Sequence, residues 1–385
     1  MLNSKIQTTL TISGCLLITF CMGSIHAFSA LIEAIESQAS IERIASSLIY
    51  SAGLISVTLA VYCGHILYRK FNAAALMLAA AILPITGFIF TNMGTWLGWL
   101  LGYGVFFGFA SGLGYGFSLH ACTIVTHVEK RGLVLGAVSG AYALGALTFS
   151  ILYPSLLSRL EFNVAYLLGT VIIAIVVGVG ACLLFFSKIE TRPAITKQVV
   201  GVVKHQGILK LWLAYCFGVF AGLMIIGHAV PIIKTFGGSE TLASSSIVLM
   251  SLGGGISGLL AGHIADKFGC KNPMCILVAA SAISLFLLAI YGSAMISLVL
   301  MICIATFYGA FIAIFPTLIA SLVGKDDSAR IYGKVFTAWG FAGLCAPFLA
   351  GWFYEQSQSY TLALLIAGGF ALISTVLIFY LPRHN

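Results

Sequence analysis

Charge is what this chain has least of: Lys, Arg, Asp and Glu make up 8% of its 385 residues, against 60% hydrophobic. A soluble chain of this length could not clothe its surface with so few charges. Paired cysteines are missing too. The ten cysteines (Cys15, Cys21, Cys63, Cys122, Cys182, Cys216, Cys270, Cys275, Cys303 and Cys345) are scattered through apolar stretches, with no CxxC and no clustering with histidine. That distribution fits packed, reduced thiols and excludes a disulfide framework or a thiolate metal site. There is no phosphate-binding GxxxxGK[ST] loop, no GxSxG elbow and no HExxH, and no polar segment is long enough to hold an ATPase. The chain is therefore expected to be no enzyme and to carry no cofactor and no metal. Energy for any work it does must come from a gradient or from exchange.

What the chain has is apolar length, at a mean hydropathy of +1.08. Its hydrophobic residues come in stretches of about 18 or more, as a bilayer-spanning helix requires, and not in half-polar periods. Twelve spans are predicted, at Leu10–Ile32, Ile44–Tyr68, Ala73–Asn92, Trp96–Thr126, Gly132–Leu157, Val164–Phe186, Ile208–Lys234, Leu242–Ala265, Pro273–Gly292, Ile296–Leu322, Tyr332–Tyr354 and Tyr360–Leu381. The longest polar segment falls midway. The expected organisation is a six-helix half over 1–187, a cytoplasmic linker over 188–207 and a second six-helix half over 208–385.

The net charge of +8 does not point to nucleic acid, because the basic residues sit in short loops between spans. Under this span assignment sixteen of the nineteen Lys and Arg residues fall on the side that holds both termini, and only Arg43, Arg159 and Lys234 fall on the other. So strong a bias predicts cytoplasmic termini and a cytoplasmic linker, in a bacterial inner (plasma) membrane. Lys5 and the apolar run behind it could also pass for a signal peptide ending near Ala27-Phe28-Ser29. Cleavage there would leave eleven helices and break the charge partition.

The halves repeat. Gly64 opens the loop after span two in GHILYRKFN and Gly262 the loop after span eight in GHIADKFGCK, an offset of 262 − 64 = 198; Arg131 and Arg330 precede spans five and eleven at 330 − 131 = 199. Two landmarks at nearly one offset argue for parallel six-helix repeats.

The run from Gly262 to Lys271, with Asp266, Lys267 and Gly269, resembles the G-x-x-x-D-R-x-G-R-R loop signature of the major facilitator superfamily. The resemblance implies a gating loop in which Asp266 meets the positive N-terminal end of a neighbouring helix, expected to be span eleven near Arg330. Arg131 holds the corresponding place before span five. In the first half Tyr68 stands where the Asp belongs and Asn72 where the basic pair begins, so the latch is expected to be asymmetric.

A narrower resemblance covers most of the chain. HAFS (His26–Ser29), GFASGLGYGF (Gly108–Phe117), RGLVLGAVSGAYALGA (Arg131–Ala146), GLMIIGHAVPI (Gly222–Ile232), FYGAFIAIFPTL (Phe307–Leu318) and YGKVFTAWGFAGLCAP (Tyr332–Pro347) are similar, in family order, to segments of the oxalate/formate antiporter family, related to the monocarboxylate porters. This implies an all-α major facilitator fold of two pseudo-symmetric six-helix bundles that moves small organic anions by alternating access.

The departures bear on the cargo. Dicarboxylate-carrying members place an arginine in span eight and a lysine in span eleven, where this chain has Gly258 and Trp339. The WFP that usually precedes the span-five arginine is replaced by Thr126-His127-Val128. Burying a dianion without positive partners is costly, which turns the expectation toward a monocarboxylate. The ionisable residues deep in spans are histidines: His26 in span one, His120 in span four and His228 in span seven, with His26 and His228 at offset 228 − 26 = 202. An imidazole can bind a proton or a carboxylate near neutral pH, or simply pack with a satisfied ring nitrogen. Tyr115, Tyr142, Tyr308 and Trp339 complete the candidate substrate-binding set, with helix packing as their alternative role.

The expected function is secondary transport of a small organic anion, coupled to protons; the alternative is a membrane sensor or assembly component that keeps the transporter fold without turnover. The expected partners are the solute, protons and the lipid bilayer, without nucleic acid, and the chain is expected to act as a monomer.

Overall fold

In hydrocarbon a backbone has no water to bond, so each apolar stretch must satisfy its own N–H and C=O groups, which a helix does. A computed structural model describes residues 4–190 and 205–381, and its regular structure is helical throughout. Eleven helices among the described residues are long and apolar enough to cross a membrane: Ser4–Ala30, Ala45–Lys70, Ala73–Thr91, Trp96–Val125, Val128–Leu157, Phe162–Ser187, Gly207–Thr235, Glu240–Phe268, Lys271–Ile290, Ala294–Ser357 and Thr361–Phe379. The tenth runs for 64 residues but is broken at Gly324, with φ 77° and ψ 170°. Only glycine adopts that conformation freely. The break yields two crossings, 294–323 and 325–357, where the sequence predicts spans ten and eleven, so the count is twelve and the chain is a multi-pass membrane protein.

Several starts are fixed by polar N-caps. The side chains of Asn72, Thr95, Ser239 and Ser293 accept from the backbone N–H of Ala75, Gly98, Leu242 and Ile296, satisfying donors that a helix start otherwise leaves open. Two spans are irregular inside. Span one is α-helical over Ser4–Met22 and tightens to a 3-10 helix over Gly23–Ala30, while span four widens to a π-helix over Leu100–Phe107. Span seven has non-helical torsions at His228, with φ −122° and ψ 20°.

The chain forms two compact units. The first contains Met1–Thr126, Ala141–Lys197 and Lys325–Gly333, and the second His127–Gly140, Gln198–Gly324 and Lys334–Asn385. In the first, Trp99, Phe162 and Tyr166 form an aromatic core, with Trp99 stacked on Phe162 at 5.7 Å. In the second, Tyr215 packs between Phe311 and Phe315. Most of the expected 188–207 linker lies outside the described residues.

Candidate functional site

In the first unit span four bonds two backbone carbonyls where span one changes from α-helix to 3-10 helix. Ser111 Oγ donates to the Met22 carbonyl at 2.9 Å and Tyr103 Oη to the Ile25 carbonyl at 2.6 Å. Tyr103 itself projects from the π-helix, a distortion that recurs at functional sites. The broken segment thereby holds His26 half-buried, its Nδ1 2.7 Å from the Tyr50 hydroxyl in span two. Tyr142 of span five meets the imidazole edge-on, with centroids 5.4 Å apart, and Tyr115 lies 4.9 Å from Tyr142. Ser111 Oγ and the Tyr142 hydroxyl are 3.0 Å apart. Because the one Ser111 hydrogen goes to Met22, Tyr142 is the donor of that pair. His26, Tyr115 and Tyr142 thus come together as one cluster, and Tyr50, Ser111 and Tyr103 join it.

His120 does not join that cluster. It is buried, with its ring stacked on Tyr68 at 5.1 Å and 16°. Tyr68, in the place of the motif's aspartate, is folded inward, and its hydroxyl is buried without a hydrogen-bond partner.

In the second unit Trp339 Nε1 donates to the Tyr308 hydroxyl at 3.0 Å, and the indole stacks on Phe336 at 5.2 Å. Tyr308 lies on Gly222, where any Cβ would overlap the ring. His228 takes other partners: Nε2 is 2.9 Å from the Pro347 carbonyl and Nδ1 is 3.2 Å from the Tyr360 hydroxyl. A carbonyl only accepts, so Nε2 carries the hydrogen, and Tyr360 donates to Nδ1 in the neutral ring. Gly258 lies against the backbone of Gly140.

The gating loop belongs to the second unit as well. Asp266 Oδ1 accepts from Gly132 N at 2.6 Å and Oδ2 from Leu133 N at 2.7 Å, which sets a carboxylate on the open N–H groups at the start of span five. The expected neighbour, span eleven, is therefore corrected to span five. Arg330 pairs instead with Asp327 at 3.1 Å in its own helix. The approach depends on Gly262, whose Cβ would collide with the Gly132 carbonyl. Arg131 begins the capped helix, with its Nε buried and unbonded. Gly269 turns the loop at φ 75°. Lys267 lies 6.0 Å from the Phe268 ring, and Lys271 Nζ donates to the Leu381 carbonyl at 2.7 Å. Burial, with Asp266 nearby, pushes the Cys270 thiol up to about 12, so it is a packed thiol and not a reactive one.

Comparison with known proteins agrees with this architecture. The family model described as Major Facilitator Superfamily matches residues 211–385. Escherichia coli K12 has a similar protein, named as an uncharacterized MFS-type transporter, YhjX; it is 26% identical over 90% of this chain and 88% of its own length. The oxalate:formate antiporter of Oxalobacter formigenes is 25% identical over 56% of this chain and 54% of its own. Monocarboxylate transporter 9 of mouse is 30% identical over 36% of this chain and 28% of its own. Among solved structures, the proton:xylose symporter XylE superposes with a TM-score of 0.81 at 14% identity, covering 99% of this chain and 97% of that one.

Proposed function

We propose that this chain, a member of the major facilitator superfamily and a membrane transporter, carries a small monocarboxylate by alternating access, with His26 exchanging the coupled proton. The observation that carries this reading is the place of His26: a half-buried imidazole on a broken stretch of span one, bonded to Tyr50 and edge-on to Tyr142. An imidazole that gains a proton and a carboxylate that arrives beside it neutralise each other, so each favours the binding of the other without a fixed cation. Gly258 and Trp339 at the places of the dicarboxylate carriers' cations support a singly charged cargo. One relative is named for monocarboxylates and another for the exchange of formate, a monocarboxylate, against oxalate, so both names support a small carboxylate as the solute.

Asp266 acts in this scheme as the cytoplasmic latch, holding span eight to the start of span five until the inside opens. The test is uptake of labelled formate, lactate and pyruvate into proteoliposomes, with and without an inward proton gradient. Uptake of at least one acid, accelerated by the gradient, is expected. Transport of none of them, or a rate indifferent to the gradient, contradicts the proposal.

A further inference from the structure

We propose that Tyr50 is a positioning residue that lets His26 gain and lose its proton without losing its partner or its aim. This rests on the proton-exchange reading of His26. A phenol hydroxyl both donates and accepts. It can donate to a bare Nδ1 and, by turning its one hydrogen, accept from Nδ1–H, so the 2.7 Å contact serves either state of the ring. A backbone carbonyl cannot do this, since it fixes one nitrogen as a donor. That is the arrangement at His228, where Nε2 faces the Pro347 carbonyl. The two histidines stand at related places in the repeat, and at His228 the Tyr360 hydroxyl likewise faces Nδ1, at 3.2 Å.

The phenol is also held in place independently of this bond. Its ring stacks on Phe28 at 5.4 Å and 17°, and Phe28 lies two residues from His26 on the same 3-10 segment. The segment therefore grips Tyr50 by one residue and is oriented by it through another. Phe28 in turn packs on Tyr103 at 5.1 Å, whose hydroxyl ties the segment to span four. Among the titratable groups, Tyr50 from span two and Tyr142 from span five meet His26, and Tyr103 and Tyr115 from span four pack against Phe28 and Tyr142. The Tyr50 hydroxyl is bonded to the imidazole at Nδ1, while Tyr142 meets the ring edge-on and sends its own hydrogen to Ser111.

Tyr50→Phe keeps the ring on Phe28 and removes only the hydroxyl, so it separates aim from packing. In proteoliposomes taking up labelled lactate or formate, Tyr50→Phe is expected to move the pH midpoint of transport by about half a unit or more, a threefold change in rate at fixed pH. His26→Gln should abolish the pH dependence. A Tyr50→Phe profile that coincides with the wild type, beside a flattened His26→Gln, overturns the positioning role and leaves the proton-exchange reading standing. A His26→Gln profile that coincides with the wild type overturns both.

A second measurement needs no Tyr50 variant. In the wild-type protein labelled with 15N-histidine, the His26 signal, identified by its loss in His26→Gln, should change from its neutral to its protonated form as the pH is lowered from about 8 to about 4 in the presence of lactate or formate. A His26 signal that stays in one tautomer across that range overturns the proposal.

Discussion

Both oxygens of Asp266 are engaged at the start of span five, one accepting from Gly132 N at 2.6 Å and the other from Leu133 N at 2.7 Å. A two-oxygen grip on a helix start uses the full charge of the carboxylate, because the open N–H groups and the aligned peptide dipoles act on it together. Asp266→Asn keeps one acceptor and loses the charge. The expected cost is about 1–2 kcal/mol, enough to shift the inside-closed population several-fold. Cysteine-accessibility labelling from the cytoplasmic side should rise accordingly, and unchanged labelling would count against the latch.

Tyr68→Asp is expected to do less. Tyr68 is stacked on His120 inside the first unit, and span eleven already carries Asp327, paired with Arg330, in the turn after the Gly324 break. Labelling of the Tyr68→Asp protein should stay close to the wild type, and a shift as large as that of Asp266→Asn would show the two loops to be equivalent after all.

Trp339→Lys tests the charge count. The substitution removes the indole donor to Tyr308 and the stack on Phe336. It introduces one cation where Gly258 supplies no second. Loss of monocarboxylate uptake with at most weak binding of oxalate is expected, measured as competition by oxalate against a labelled monoacid. Full retention of native uptake would place Trp339 outside the path of the solute.

His228→Phe should act on stability and leave coupling alone. It removes hydrogen bonds to the Pro347 carbonyl and the Tyr360 hydroxyl at the kink of span seven, a loss of about 1–3 kcal/mol. A lower unfolding temperature in detergent is expected, with the pH profile of the remaining transport unchanged. A flattened pH profile would return His228 to the proton path.

The contrast between these two histidines marks where the sequence stops being informative. The spans were legible because hydropathy responds to bulk composition, and even the Gly324 break sits in the polar stretch between two apolar runs. The 3-10 stretch over Gly23–Ala30 and the π-helix over Leu100–Phe107 were not, since a uniformly apolar window carries no mark of helix type. His26 and His228 stand at similar places in the two halves, but a hydrogen-bond role is set by partners far along the chain. Tyr50 and Tyr360 are such partners, and no local pattern singles them out. Ser111 stands in the sequence only as one small residue within the GFASGLGYGF run. The helix that Asp266 caps was missed for a similar reason: the loop motif shows that a carboxylate is present, and only tertiary contact shows which helix start receives it.

The most direct test of the whole account is the pH profile of uptake in proteoliposomes for the wild type and His26→Gln, after both have been confirmed to insert and purify equally. His26 sits on the 3-10 stretch of span one and meets span two through Tyr50 and span five through Tyr142. Wild-type uptake of the monocarboxylate should rise as external pH falls, because proton and anion load together, and His26→Gln should carry the solute at a rate nearly independent of pH. A His26→Gln protein that transports with the wild-type pH dependence would contradict the assignment of the coupled proton to His26.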